Sequence, residues 1–251
     1  MQCDFNDICD SSVLGKHANA YSKCFLHMCV ERPWYSGVCV FTRRPPCQVY
    51  FGFVPEVCGD DIDSQGRLIR IRFKDCIIHM VYAPSKIDQN LPFLEKLHKQ
   101  VLWDKAKFGL PLIVMGDINV PPTDNDISTV TPWATAGCDY SHSRAVLQGI
   151  IRDGPLIDVG SSRHTFTWFP SPTWRSQKLQ IGMRLDLVLV DWLFKVESYH
   201  VNTSIRGTDD RPVTVTLQIQ TDNPLSPVPH SLVPVPREVI NQCAFSRTGL
   251  P

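Results

Sequence analysis

Apolar and polar positions alternate most cleanly at residues 68–82. Ile69, Ile71 and Phe73 fall on one face and Arg70 and Arg72 on the other. After Lys74-Asp75 the run "CIIHMVY" returns, and Pro84 ends it. This predicts a β-hairpin. Upstream, "YSGVCVF" and "QVYFGFV" read as strands joined by a turn at "RRPPC". In "LPFLEKLHKQVLWDKAKF", Leu91, Leu94, Leu97, Val101 and Leu102 lie close to one stripe, predicting an amphipathic helix over 91–107. "PLIVM" is a continuous apolar run, expected of a strand covered on both faces. A second helix is expected over 141–151, and three further strands in "HTFTWF", "MRLDLVLV" and "PVTVTLQI". In the last, Val213, Val215, Leu217 and Ile219 alternate with Thr214, Thr216 and Gln218, the mark of a half-exposed antiparallel strand. Residues 1–33 carry no clean period. From Thr221 prolines recur without period, which predicts a linker or tail over 221–251. The compact part is therefore expected over 34–220, as an α/β fold of two facing sheets with helices outside.

Composition narrows the function classes. Lys and Arg number 25 and so do Asp and Glu, leaving no net charge to draw the whole protein toward nucleic acid or membrane. A polyanion site must then be a local patch. No apolar run is long enough to span a bilayer. The ten cysteines are scattered with no C-x-x-C pair. The Cys24–Cys29 spacing is loose for zinc. The thiols are expected to be reduced and mostly buried, in an intracellular protein.

Three strands carry carboxylates at or near an end. "LIVMGDIN" closes on Asp117 and Asn119, two apart, and so on one side of an extended chain. "MRLDLVLV" holds Asp186 beside Arg184, and "TDDRPVTV" is preceded by Asp209 and Asp210. Taken singly, Gly-Asp is a turn signal and Asp-Asp a solvated cap. Taken together, they suggest carboxylates meeting at one place. Such a cluster repels itself unless it holds a hard cation; Mg²⁺ takes oxygen ligands of this kind and completes its shell with water and phosphate.

These pieces, in this order, resemble the endonuclease/exonuclease/phosphatase superfamily, most closely its exonuclease III and apurinic-site endonuclease branch. The matching stretches are "YSGVCVF", "DSQGRLIRIRF", "VYAPS", "IVMGDINV", "FTWF", "GMRLDLVLVD" and "TDDRPVTVTL". The resemblance implies a four-layer α/β/β/α sandwich of the DNase I-like type and a phosphodiesterase acting on DNA with Mg²⁺ or Mn²⁺. Asp117 would position or deprotonate the attacking water, Asn119 bind the phosphate and Tyr82 contact the scissile group. Asp186 would orient the residue at 210, and Asp209, with Asp117, would hold metal. Arg184, Arg211, Phe166 and Trp168 would line the substrate side. Arg43, Arg44, Arg70 and Arg72 are further candidates for backbone phosphates. The partner implied is DNA, the protein a monomer without membrane attachment, and the location nuclear.

Two departures stand out. The family opens with strands ending in W-N-x-N and Q-E, the latter supplying a main metal ligand, and neither motif is present, so the first strands of one sheet are expected to be missing. Asp210 stands where the family has histidine. An ionised aspartate donates no hydrogen bond and adds charge where a phosphate must sit. Three readings follow from the motifs: a repair-type nuclease, weak or inactive in this chain; the endonuclease domain of a non-LTR retroelement, with 221–251 as the linker; or a catalytically dead binding module.

Overall fold

The computed structural model describes residues 21–59, 63–128, 138–163, 165–170, 181–205 and 208–220. The expected linker at 221–251 and most of the segment before β1 lie outside these residues. Ten strands are described: β1 Lys23–Met28, β2 Gly37–Thr42, β3 Gln48–Phe51, β4 Leu68–Arg72, β5 Ile77–Tyr82, β6 Leu112–Asp117, β7 Leu156–Asp158, β8 Asp186–Asp191, β9 Phe194–Val201 and β10 Val213–Ile219. The helices are α1 Pro55–Cys58, α2 Ile87–Phe108 and α3 Ser141–Asp153.

Six strands form one sheet in the order β3-β4-β5-β6-β8-β7. Only β5 and β6 within it run parallel, because α2 carries the chain back between them. The β4–β5 hairpin has the expected register, with Ile69 opposite Met80 and Ile71 opposite Ile78. One face of this sheet packs on α2 and α3 through Leu94, Leu97, Val101, Leu147 and Ile150, all fully buried. Each such side chain contributes roughly 1.5–3 kcal/mol of burial. Helix α2 stops at Gly109, whose φ of 62° is the left-handed cap that glycine favours.

The other face packs against two separate hairpins, β1–β2 and β9–β10. The described residues thus supply three layers: helices, a six-stranded sheet and a divided second layer. The division shows in burial. On the helix side Ile77 and Val81 of β5 are buried, whereas Ile78 and Met80, facing the hairpins from the middle of the sheet, are only half-buried.

Several elements depart from expectation. "HTFTWF" forms no strand among its described residues; it makes single bridges, Trp168 to Met183 and to Asp210. Strand β8 begins only at Asp186. Strands β1, β7 and β9 were hidden by weak alternation. Of the seven described cysteines only Cys29 and Cys76 are buried, so the expectation of mostly buried thiols fails for these residues. Cys24 and Cys39 face one another across β1 and β2 with sulfurs 3.5 Å apart. No described helix is long and apolar enough to cross a membrane.

Arg70 reverses the simple reading of its strand. It points into the helix side, 1% exposed, where both Asp104 oxygens accept from its Nη1 at 2.8 and 2.9 Å. His79 and Gln100 complete this buried group. Asp104 is held below the usual carboxylate range: burial opposes its charge, but the hydrogen bond and charge of His79 and the Arg70 guanidinium outweigh it.

Candidate active site

The site grows from three adjacent strand ends. Tyr82 closes β5 and lies in register with Asp117, which closes β6. Asp117 in turn is the cross-strand partner of Asp186, the first residue of β8. A tyrosine and two carboxylates therefore sit side by side at one edge of the sheet. The fourth group comes from before β10: Arg211 N–H donates to Thr167 O at 2.7 Å and Phe169 N–H to Asp209 O at 2.9 Å, so "FTWF" stitches the 208–211 segment to the sheet.

Gly116 makes the β6 end possible. Its φ is +127°, and a Cβ there would lie 2.0 Å from Val81 O. Only glycine lets β6 approach β5 so closely. Beyond it, Asn119 takes a φ of 54°, the left-handed conformation that Asn tolerates. The chain therefore turns here and does not run on extended. Asn119 N–H donates to Asp117 Oδ1 at 2.9 Å and its Nδ2 to Asp117 Oδ2 at 2.8 Å. Nδ2 also donates to Ala83 O at 2.8 Å, tying β6 back to the end of β5. Asp117 and Asn119 do meet, through a turn and not through strand alternation.

The electrostatics are those of carboxylates short of countercharge. Asp117 is pushed up to about 8, by burial first and then by Asp186 and Asp210, against the hydrogen bonds from Asn119. Asp210 is pushed up to about 6 by burial and by Asp186 and Asp209. Burial also raises Asp186, whose Oδ2 is buried without a hydrogen-bond partner. The Tyr82 hydroxyl is raised by burial and by the nearby Asp117 carboxylate. Beside these groups a cavity of about 360 Å³ has Met115, Val188 and Val213 as its apolar wall and Asp186, Asp210 and Arg211 at its polar end.

The orphan Asp186 oxygen and the raised carboxyls fit a hard divalent cation in kind. They are few: the described residues hold no group of three His, Cys, Asp or Glu side chains placed to ligate one ion. Asp186 has an oxygen to spare, and Asp209 and Asp210 offer further carboxylates next to it in the fold. Both oxygens of Asp117 are engaged by Asn119; Asp209 and Asp210 are both exposed beside this edge. A cation held by two carboxylates would draw its remaining ligands from water and phosphate, as Mg²⁺ commonly does.

The arginines divide sharply. Arg184, 1% exposed, is clamped by Asp126 (2.7 Å) and by both oxygens of Asp158 (2.9 and 2.8 Å), so it braces the start of β8 from inside and is closed to substrate. Burial alone would lower its pKa; the two carboxylates raise it well beyond the ordinary arginine range. Arg211 is buried over the Phe169 ring and donates to Thr208 O and Asp210 O. Arg44 pairs with Asp75, Arg72 reaches Gln48, and Arg43 lies over Tyr21. Phe166 and Trp168 are half-buried beside Gly182 and Met183.

Three positioning residues escaped the sequence reading. Asn90, buried on the inner stripe of α2, donates to Pro84 O and Ile118 O and so ties together the loops after Tyr82 and Asp117. A lone Asn one turn before Leu94 on an apolar face was the available signal. Thr167 Oγ1 accepts from the N–H groups of Leu185 and Asp186. Arg67 donates to Tyr82 O at 3.1 Å and stacks on the Tyr82 ring; it lay unassigned within "DSQGRLIRIRF".

A layered α/β fold whose sheet ends gather carboxylates, a tyrosine and an Asp-Asn clamp has the layout of a phosphoester hydrolase. The chain belongs to the Endonuclease/Exonuclease/phosphatase family, whose model matches residues 4–209. It is 26% identical over 200 residues to an exodeoxyribonuclease of Bacillus subtilis (strain 168), covering 74% of this chain and 75% of that one. Among solved structures it resembles a 3′ phosphatase from Neisseria bound to product DNA hairpin (TM-score 0.63, 19% identity, 83% of this chain and 84% of that one). An AP endonuclease from Archaeoglobus fulgidus is similar to the same degree (TM-score 0.63, 19% identity, 78% and 88% covered).

Proposed function

We propose that this chain is a divalent-metal-dependent phosphodiesterase of DNA, slow because of Asp210. The observation that supports this best is the adjacency of Tyr82, Asp117 and Asp186 on three neighbouring strand ends, with Asn119 locking Asp117 in place. The Bacillus relative's name, exodeoxyribonuclease, and the Neisseria complex with DNA support nucleic acid as the substrate class. In this reading the hydroxyl of Tyr82, a residue 37% exposed, donates to the phosphate to be cut. Asp117 accepts the proton of the attacking water, and Asn119 fixes the direction of that carboxyl. A bound Mg²⁺ or Mn²⁺ supplies charge neutralisation at the phosphoryl oxygen and acidifies water.

Asp210 works against this arrangement. It donates to a phosphate only while protonated, below about 6, whereas Asp117 accepts a proton only when ionised, above about 8. In the protein alone the state that meets both requirements is a minor one, because the Asp117 titration is held above that of Asp210. The retroelement reading shares this chemistry; the binding-module reading draws its support from the two departures, Asp210 and the absent W-N-x-N and Q-E motifs. The test is cleavage of labelled plain, abasic-site and 3′-phosphate duplexes with Mg²⁺ or Mn²⁺, with Asp117→Ala and chelator as controls. Slow cleavage abolished by Asp117→Ala is expected. Metal-independent cleavage, or DNA binding with no cleavage of any duplex, would overturn the proposal.

A further inference from the structure

Trp34 occupies a backbone conformation that its own side chain disfavours. Tyr35 N–H donates to Arg32 O at 3.2 Å, closing a turn over Arg32-Pro33-Trp34-Tyr35. Proline at the second position and a φ of 66° at the third give this turn type II geometry. The third position of such a turn normally takes glycine or asparagine, and a bulky aromatic there is strained. The strain is not offset by burial: the indole is 65% exposed. Strain held at one position, with its side chain offered to solvent, is characteristic of a residue retained for contact with a partner.

The surroundings define the chemistry of that partner. Arg32 lies 5.5 Å from the centre of the Tyr35 ring, and Arg67 lies 5.6 Å from Tyr35 and 5.1 Å from Tyr82. Trp34, Tyr35 and Tyr82 are all exposed, and so is Arg32 beside Tyr35, whereas Arg67, 5% exposed and donating to Gln65 Oε1 and Tyr82 O, is a buried brace between the two tyrosines. Of the acidic residues near these groups, Glu31 is engaged by Ser64 Oγ, Asp63 accepts from the N–H groups of Arg67 and Leu68, and Asp117 and Asp210 lie at the Tyr82 end. Exposed aromatic faces beside the exposed Arg32 suit a strand of unstacked bases, whose rings stack on the aromatics while the cation meets a phosphate.

We infer that Trp34 is a stacking platform for an unpaired nucleotide, so that this protein engages single-stranded or frayed DNA ends in preference to blunt duplex. The inference rests on the phosphodiesterase reading and adds a substrate class to it. Trp34 stands outside the Tyr82–Asp117–Asp186 group, and its replacement leaves that group intact.

The test uses the whole chain in chelator, so that nothing is cut, with a short single-stranded oligonucleotide and a blunt duplex as probes in fluorescence anisotropy. Trp34→Gly relieves the turn, so its melting temperature stays the same or rises. Its affinity for the single strand is expected to fall about tenfold, in line with the loss of one stacked base. Affinity for the duplex stays within about twofold, the range expected of a site that makes no stacking contact there. Trp34→Phe, which keeps an aromatic face, retains most of the single-strand affinity. Undiminished single-strand binding by Trp34→Gly would overturn the inference and leave the exposed indole to a protein partner. Equal losses on both probes would also overturn it, pointing to a general surface contact. If the unaltered protein binds neither probe and cuts no DNA with metal, the phosphodiesterase reading falls, and the inference with it.

Discussion

Asp117 and Asp186 face each other as cross-strand partners at the ends of β6 and β8. Directly opposed like charges destabilise a sheet, and here the cost appears as a carboxyl held protonated. Asp117 titrates at about 8 in the folded protein, against about 3.9 for an unfolded aspartate. The folded value is the higher one. Its stabilising contribution is therefore complete below the unfolded value and is lost as pH rises through about 8. Asp117→Asn is expected to raise the melting temperature at pH 8 by about 3–6 °C and to change it little at pH 4. Asp186→Asn should lower the Asp117 titration, followed by carbon-13 NMR of the carboxyl; an unmoved titration would show that burial alone sets it.

Arg184 is expected to matter for folding and not for substrate. Truncation to Ala leaves Asp126 and Asp158 buried without their cation. Loss of one partner from a buried pair costs about 3–5 kcal/mol. At roughly 2–4 °C per kcal/mol for a chain of this size, the melting temperature should fall by about 6–20 °C. Urea titration of Arg184→Ala checks the energy. A stable variant with weakened DNA affinity would return Arg184 to the substrate side.

Gly116→Ala tests the close approach of β5 and β6. A methyl group 2.0 Å from Val81 O forces the strands apart at the very register that aligns Tyr82 with Asp117. The clash and the positive φ together should cost at least about 2–3 kcal/mol. Any folded fraction should lose the elevated Asp117 titration, since the residues around it separate. Circular dichroism melts and NMR titration of the same sample distinguish the two effects.

Asp210→Asn should tighten DNA binding about two- to tenfold at low salt, and the gain should shrink as salt screens it. The replacement removes a charge from beside the proposed phosphate position and lowers Asp117 through the lost repulsion. Salt-dependent affinities of the two proteins in chelator give the comparison. Equal affinities at all salt concentrations would mean that Asp210 faces away from the bound phosphate.

The elements that position the site were legible wherever burial imposes a period. The 68–82 hairpin, the strand at "PLIVM" and both long helices follow directly from their apolar spacing. "GDIN" read as an extended pair because sequence spacing cannot show that Asn119 turns into a left-handed conformation to grip Asp117. The arginines were the least legible. Arg70 and Arg184 lie at positions that alternation assigns to solvent, and each is buried by carboxylates from distant segments, Asp104 in one case and Asp126 and Asp158 in the other. Such ion pairs depend on tertiary placement, which no local pattern encodes. Trp34 escaped for a related reason: an exposed aromatic in a turn leaves no periodic trace.

The pairings that build the site also set when it forms. The β4–β5 hairpin joins neighbouring segments, whereas Tyr82 meets Asp117 only after α2 has crossed over, and Asp117 meets Asp186 only after the excursion through α3 and β7. Contacts between distant segments carry the larger loop-closure entropy and are made late. On this ground the carboxylates are expected to meet late in folding, where the electrostatic penalty of their meeting would fall. The slowest refolding phase should accelerate as pH falls from 8 toward 5, while formation of the hairpin and helices proceeds at an unchanged rate. If the proposed cation binds these carboxylates, adding it beforehand should speed the slowest phase in the same way that low pH does.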